Sequence, residues 1–387
     1  MRLPIYLDNN ATTCTDPRVL EAMIPFFTEK YGNPASKTHS FGWQAEEAVE
    51  ISREEIAHLI GGRAKEIIFT SGTTEANNLA ILGAARMQEP KGRHIVSSPT
   101  EHRAVLDPLK ELEKQGWEVG WLRPDRYGRV TARQVEEAIR PDTVLVSIMF
   151  ANNEVGTLQP VGEIGEVTRR RGVLFHCDAA QAVGRVPVDV EAQGIDLLSF
   201  SAHKIYGPKG IGVLAVRQRP PRARISPLLH GGGHERGLRS GTVSVPLIVG
   251  LAACCNIAAQ SMAAEAERCR ALGRRLLEGI REALPEVVLN GHPEERLPGN
   301  LNLSFQGLEA EALLLGLPDI AISTGSACTS ASLEPSHVLR AIGTPRDLAH
   351  SSVRLGIGRF NTEEEIEYTI ERLRRVVERL RGSSARL

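Results

Sequence analysis

Residues 196–212 read DLLSFSAHKIYGPKGIG. An apolar strand ends in Ser201-Ala202-His203-Lys204, and glycines then turn the chain into a second strand of small and β-branched residues, Gly210 to Val216. A lysine at a strand end can be desolvated, and a desolvated amine is a competent nucleophile towards an aldehyde. Ser201 and His203 beside it are able to donate hydrogen bonds to a phosphate. The plain alternative is a lysine in an exposed loop. An S-x-x-K also occurs in penicillin-binding enzymes, but the S-D-N and K-T-G partners those enzymes need are absent from this chain.

Upstream, the same alternation continues. Strand-like runs at Glu66–Thr70, His94–Ser97, Trp117–Leu122, Val144–Met149, Val173–Cys177 and Leu197–Ser201 alternate with helical runs at Glu46–Leu59, Thr74–Arg86, Ala104–Gln115 and Ala132–Ile139. Strands separated by helices predict an α/β fold with a mainly parallel sheet covered on both faces. The last third differs. Val243–Leu284 is a long Ala-rich helical stretch with a break expected near Ser261. Val287–Leu289 and Asn300–Leu303 suit a second sheet, and Thr362–Leu380 is a charged amphipathic helix. The expected division is an N-terminal segment, 1–15, packing with the smaller unit, a large cofactor-binding domain, 16–255, and a small α+β domain, 256–387.

Three further segments strengthen the meaning of Lys204. Asp178 closes a buried strand, where an unpaired carboxylate is costly. A protonated pyridine nitrogen is a suitable cation for it; a helix N-cap is the alternative. Gln181 follows three residues on. Thr70–Glu75, TSGTTE, runs from a strand into a helix, and free amides with the Thr73 and Thr74 hydroxyls would cradle a phosphate. His102 follows a third strand, where its flat ring could stack on a cofactor and move protons, or simply cap a helix. All lie at the carboxyl ends of strands, where α/β sheets bind ligands.

Composition bounds the rest. The 387 residues are 42% hydrophobic and 24% charged, with formal net charge -1. These are globular proportions with no bulk basic field to attract nucleic acid or an anionic membrane. No signal-like N-terminus and no apolar run near bilayer length is apparent, so the expected location is the cytoplasm. The six cysteines form no C-x-x-C pair and no zinc spacing. Cys328 lies in Ser323–Pro335, a stretch of small polar residues suited to a loop that carries a reactive thiol. Cys177 is the rival nucleophile, but strand alternation turns it away from Asp178. Cys254, Cys255 and Cys269 read as packing.

These segments resemble the cysteine desulfurases, a branch of the fold-type I pyridoxal-phosphate enzymes. The resemblance covers nearly the whole chain. It rests on Tyr6–Thr13, Gly32–Ser36, Phe41–Ala45, Ala151–Gly156, Gly231–Thr242, Ser326–Ser330 and Ser351–Arg359 in addition to the stretches above. It implies a seven-stranded sheet in the large domain and pyridoxal 5'-phosphate as cofactor. By the same resemblance Lys204 bonds the cofactor aldehyde, Asp178 pairs with the pyridine nitrogen, Gln181 bonds the ring hydroxyl and His102 stacks on the ring. Thr73, Thr74, Ser201 and His203 would hold the phosphate. Thr242 would reach the phosphate of a neighbouring subunit, which implies a homodimer. Asn153 and Arg354 would bind the substrate carboxylate, a task for which the planar fork of Arg is suited; a structural salt bridge is the alternative for Arg354.

The implied reaction removes sulfur from L-cysteine. Lys204 moves the α-proton, the Cys328 thiolate attacks the substrate sulfur, and alanine and a Cys328 persulfide result. In some relatives the loop cysteine also ligates an iron–sulfur cluster shared with a scaffold protein, so Cys328 is the candidate metal ligand. Two departures from the family pattern are Cys14, where proline is common, and Thr73, where alanine is common. Housekeeping members usually carry a further C-terminal segment that helps dock the scaffold, whereas this sequence stops at Leu387. The sulfur acceptor is left open between cluster assembly, nitrogenase maturation and tRNA thiolation. The long Cys328 loop disfavours the second desulfurase group; a selenocysteine lyase or a nitrogen-fixation desulfurase is the alternative.

Overall fold

The computed structural model describes residues 2–324 and 335–384. The chain starts with strand β1 (Ile5–Tyr6) and helices α1 (Pro17–Met23), α2 (Pro25–Thr28) and α3 (Ser40–Leu59). It then alternates: β2 (Ile67–Thr70), α4 (Thr73–Gln88), β3 (His94–Ser97), α5 (Arg103–Lys114), β4 (Glu118–Trp121), α6 (Ala132–Ala138), β5 (Thr143–Ser147), α7 (Val161–Arg171), β6 (Leu174–Asp178), β7 (Leu197–Ser201) and β8 (Gly212–Val216). These seven strands form one sheet in the order β2-β8-β7-β6-β5-β3-β4. All pairs are parallel except those of β8, which runs antiparallel to β2 and β7.

Both faces of the sheet are covered, and neighbouring strand residues divide between them. Phe69, Leu198, Phe200 and Val213 join one apolar cluster, together with Ile56 of α3 and Ile164 of α7. Ile68, Leu197 and Leu214 join the other, with Leu79 of α4 and Leu109 of α5. This is the two-residue period of a strand buried on both sides.

Helix α8 (Val245–Ala283) follows as a single 39-residue element. The break expected at Ser261 does not occur. The Ser261 hydroxyl lies within the helix 2.7 Å from Ile257 O and 2.5 Å from Glu265 Oε1, so a residue type disfavoured in helix interiors is satisfied inside one. Leu251, Cys254 and Cys255 of its first half belong to the large-sheet cluster, whereas Cys269, Leu272 and Leu276 belong to a separate core. The expectation that no segment nears bilayer length also needs amending. By length and composition α8 is apolar enough to cross a membrane, with mean hydropathy 1.7 over its most apolar window. Here that apolar surface packs on α1 and α3.

The separate core lies under a three-stranded antiparallel sheet, ordered β12-β10-β9, formed by β9 (Val288–Asn290), β10 (Asn300–Ser304) and β12 (Ser352–Gly356). Helices α9 (Ala310–Gly316), α10 (His337–Ala341), α11 (Arg346–His350) and α12 (Glu363–Ser384) complete this part, and β11 (Ile320–Ala321) pairs in parallel with β1. Ile5 and Leu7 are wholly buried in the same core as Leu303, Leu355 and Leu373. The first residues of the chain are thereby fixed to its last third.

Candidate active site

The parallel strands end at one rim, and a cavity of about 490 Å³ opens there. Its wall is delivered strand by strand: Ser71–Glu75 after β2, His102 after β3, Met149, Ala151 and Asn153 after β5, Asp178 and Gln181 at the end of β6, and His203 and Lys204 after β7. Asn10, Ala11 and Thr12 close it from the N-terminal segment, and Arg354 enters from β12.

Lys204 is the last residue of a short 3-10 turn, Ala202–Lys204, that continues β7. Its Nζ donates to the carbonyls of Asn10 at 2.8 Å and Ala11 at 2.7 Å. The exposed-loop alternative is therefore set aside: the amine points into the cavity wall. The next loop residue but one, Tyr206, has φ of +66°, the sharp reversal that turns the chain back towards β8.

Asp178 is 4% exposed at the end of β6. Its Oδ2 accepts from Asn77 Nδ2 at 2.7 Å and its Oδ1 accepts from the Ala180 amide at 3.0 Å. The segment after Asp178 is a turn and not a helix, so the helix N-cap alternative does not hold, although Oδ1 does take the Ala180 amide. No Lys or Arg pairs with this carboxylate among the described residues, which leaves it suited to a cationic ring nitrogen. Cys177 points to the opposite face and is wholly buried in the large-sheet cluster. Burial pushes its thiol well above the ordinary range, with Glu101 and Asp178 adding to the effect. It is a core thiol.

The cradle at the start of α4 is built on Gly72, whose φ is +154°. No atom would meet a Cβ there, so glycine is required by backbone conformation alone. Thr73 Oγ1 and Ser201 Oγ are buried and make no hydrogen bond. Two orphaned hydroxyls beside the open amides of a helix start are a place for an anion. Across from them His203 Nδ1 lies 3.1 Å from Thr12 Oγ1. Burial, reinforced by Lys204 and Lys209, lowers the His203 pKa to about 4, so at neutral pH it offers a hydrogen bond and no charge. Glu75 turns out of the cradle: it accepts from the Ser71 amide at 2.7 Å and pairs with Arg239 at 2.8 Å.

His102 is both a helix cap and a cavity residue. Its Nδ1 accepts from the Ala104 amide at 3.1 Å, which leaves the ring proton on Nε2. Burial lowers its pKa, an effect opposed by Asp178 and reinforced by Lys204 and His337. Arg354 makes the salt bridge that was the alternative for it, and it also lines the cavity. Nη2 pairs with Asp8 Oδ1 at 2.7 Å and Nη1 donates to Asn153 O at 3.0 Å, while Nε is buried without a partner. Thr242 is exposed and does not line this cavity. Cys328 lies outside the described residues.

Three residues of the site were not foreseen. Asn10 and Gln181 are bonded twice, Asn10 Nδ2 to Gln181 Oε1 at 3.1 Å and Gln181 Nε2 to Asn10 O at 2.9 Å, so Gln181 is oriented by the N-terminal segment. Asn77 could have been found one helical turn after Thr73, on the same face of α4. Glu101 is fully buried, accepts from the Met149 amide at 2.8 Å and leaves Oε2 unpartnered. Burial raises its pKa well above the carboxylate range, in spite of the Met149 bond and with help from Asp178.

A family model for aminotransferase class-V matches residues 5–369. The chain belongs to the class-V aminotransferases. The cysteine desulfurase IscS of Anaeromyxobacter dehalogenans (strain 2CP-C) is 56% identical over 384 residues, 99% of this chain and 95% of that protein. The cysteine desulfurase IscS of Escherichia coli (strain K12 / DH10B) is 55% identical over 386 residues, with the same coverage of 99% and 95%. Among solved structures, one described as a NifS-like protein shares 39% identity at a TM-score of 0.90, covering 98% of this chain and all of that one. SspA in complex with cysteine shares 37% at a TM-score of 0.82, over 92% of this chain and all of that one. Within the class-V aminotransferases the chain thus falls among the cysteine desulfurases, and its fold is that of the fold-type I pyridoxal-phosphate enzymes.

Pyridoxal 5'-phosphate is the cofactor of this class-V member, and the residues present fit it. The orphaned Thr73 and Ser201 hydroxyls suit its phosphate, Asp178 suits a ring cation, and Lys204 Nζ is placed on the wall between them.

Proposed function

We propose that this protein is a cysteine desulfurase that takes sulfur from L-cysteine, releases L-alanine and carries the sulfur as a persulfide on Cys328 to acceptor proteins, chief among them an iron–sulfur cluster scaffold. One observation carries the reading: a strand-end lysine, a buried aspartate and an orphaned hydroxyl cradle share a single cavity with a buried arginine fork, in a chain 56% identical to a cysteine desulfurase IscS. That one relative's structure is described as a complex with cysteine agrees with it.

When bound, the cofactor supplies an aldehyde for Lys204 and an electron sink for the carbon from which sulfur leaves. The chain does the remainder. Thr73, Thr74, Ser201 and His203 hold the phosphate. Asp178, oriented by Asn77, holds the pyridine nitrogen protonated, and Gln181 reaches the ring hydroxyl. His102 stacks on the ring and presents its Nε2 proton. Arg354 and Asn153 bind the substrate carboxylate, with the Asp8 pair fixing the fork. Lys204 Nζ takes the α-proton and returns it. The Cys328 thiolate attacks the substrate sulfur, so that a new S–S bond forms as the carbon–sulfur bond breaks. Cys328 is also the residue that would ligate a cluster shared with the scaffold.

A homodimer in the cytoplasm fits the surface. Leu20, Ile24, Phe27, Tyr31, Phe41 and Trp43 are all exposed along α1–α3 and the connection between them, apolar side chains that a partner subunit could cover. Thr242, exposed and outside its own cavity, is free to serve the partner's phosphate. We divide the chain into 1–15, 16–255 and 256–387, the second boundary falling within α8, where its side chains pass from one core to the other.

Intact-protein and peptide mass spectrometry after treatment with L-cysteine tests the reading. One added sulfur located on Cys328 is expected, and Cys328→Ser should bind L-cysteine yet release no sulfide. Normal sulfide release by Cys328→Ser would overturn it.

A further inference from the structure

Arg185 is a half-buried cation that the proposed chemistry leaves without a task. It follows Gly184, which has φ of +74° and approaches so closely that a Cβ there would lie 2.8 Å from Ile205 Cγ2. This part of the chain is thus packed against the Lys204 turn. Arg185 makes no ion pair with a carboxylate among the described residues. Burial lowers its pKa, partly offset by Tyr206 and Cys269 and reinforced by Arg354. A guanidinium remains charged nonetheless, and a partly desolvated charge without a carboxylate partner has to be held by hydrogen bonds.

Its hydrogen bonds show what the charge is used for. Nη2 donates to Asn9 O at 2.6 Å and to Lys204 O at 3.2 Å. The carbonyls that receive Lys204 Nζ belong to the next two residues after Asn9, namely Asn10 and Ala11. One guanidinium nitrogen therefore ties together the main chain carrying the lysine and the main chain against which that lysine rests, two segments nearly two hundred positions apart in sequence. Thr13 adds a second tie, donating its amide and hydroxyl to His203 O at 2.9 Å each.

We propose that Arg185 is a positioning residue for Lys204: it clamps the Asn9–Ala11 segment to the Lys204 turn and so fixes where the lysine amine meets the cofactor. The inference rests on Lys204 being the cofactor lysine. An ammonium could donate to two carbonyls, as that of Lys204 does, but Arg185→Lys carries its nitrogen on a shorter side chain that ends short of the position of Nη2, so the grip is weakened. Methionine retains the apolar stem and removes the charge.

The test uses full-length protein stripped of cofactor. Covalent capture of pyridoxal phosphate is followed by stopping aliquots with borohydride and locating the label by mass, alongside the visible circular dichroism of the loaded protein and its apo melting temperature. Wild-type labelling at Lys204 checks the underlying reading separately; labelling elsewhere sinks that reading and this one with it. With that in hand, Arg185→Met is expected to slow capture at Lys204 about tenfold or more and to weaken the visible dichroism, beyond any loss of folded protein, with Arg185→Lys recovering only part of the rate. Capture at the wild-type rate in folded Arg185→Met would overturn the assignment. If Arg185→Met does not fold, Arg185→Lys decides: slowed capture with an unchanged melting temperature supports the clamp, and wild-type capture overturns it.

Discussion

Asn77 Nδ2 donates to Asp178 Oδ2 across 2.7 Å, joining the helix that begins at the orphaned Thr73 hydroxyl to the strand that ends in the buried carboxylate. The amide lies one turn past Thr73 on the same face of α4, so under the proposed roles one helix would set both ends of the cofactor. A hydrogen bond to a charged group contributes about 1.5–3 kcal/mol. Asn77→Leu should weaken pyridoxal-phosphate binding roughly tenfold or more. Absorbance titration of the apo-protein measures this, and wild-type affinity would show that Asp178 needs no such support.

Acid should destabilise the fold through its neutral histidines. His176 is fully buried between strands, with Nδ1 at 2.8 Å from Ser147 Oγ and Nε2 at 3.0 Å from Ser199 Oγ. Burial lowers its pKa to about 3, and that of His203 to about 4. A folded-state pKa depressed below the unfolded value near ~6.5 means stability that is complete above that pH and lost as pH falls towards the folded values. The melting temperature of the apo-protein should decline from about pH 6.5 to about pH 3, and His176→Gln should flatten the decline. A pH-independent melting curve over that range in the wild type would contradict it.

Glu101 works in the opposite sense. Its folded-state pKa is raised, so its contribution is fully present below the unfolded value of ~4.5 and is lost as pH rises through the folded one. The neutral isostere should be relieved of that loss. Glu101→Gln is expected to match the wild type near pH 5 and to gain in relative melting temperature towards pH 8. A uniform loss at both pH values would mean that the unpartnered Oε2 tolerates no amide.

Arg354 is held from both sides, by Asp8 at 2.7 Å and by the Asn153 carbonyl at 3.0 Å, with Nε unengaged. If that fork receives the substrate carboxylate, Arg354→Lys should raise the KM for L-cysteine roughly tenfold while leaving pyridoxal-phosphate affinity within about twofold. Steady-state alanine formation gives the first quantity and apo-protein titration the second. An unchanged KM would leave Arg354 as the Asp8 salt bridge alone.

What could be read in the residues was local. The strands at 94–97 and 197–201 coincide with their apolar runs, and Asp178 and Lys204 stand at strand ends as the alternation required. What escaped depends on distant chain. Asn10 acts through Gln181 and Lys204, and nothing in NNATT says that it will lie against residues 181 and 204. The same holds for β1 and β11, each two residues long and paired where Ile5, Leu7 and Ile320 enter the second core. Ser261 misled in another way: a residue type disfavoured in helix interiors was satisfied by contacts inside the helix, with apolar cores on either side of it. His102 caps its helix and Arg354 pairs with Asp8, as the plainer interpretations had it, yet both also line the cavity, so neither local role removes the residue from the site.

Helix α8 is 39 residues long and free of interruption, a shaft roughly 58 Å from end to end. A shaft seated in two cores has no elbow about which one half could swing over the other. Ligand then reaches Lys204 through the mouth of the cavity and not by a swing of the two halves, and paired spin labels at the two tips of the shaft should report the same separation before and after ligand is added.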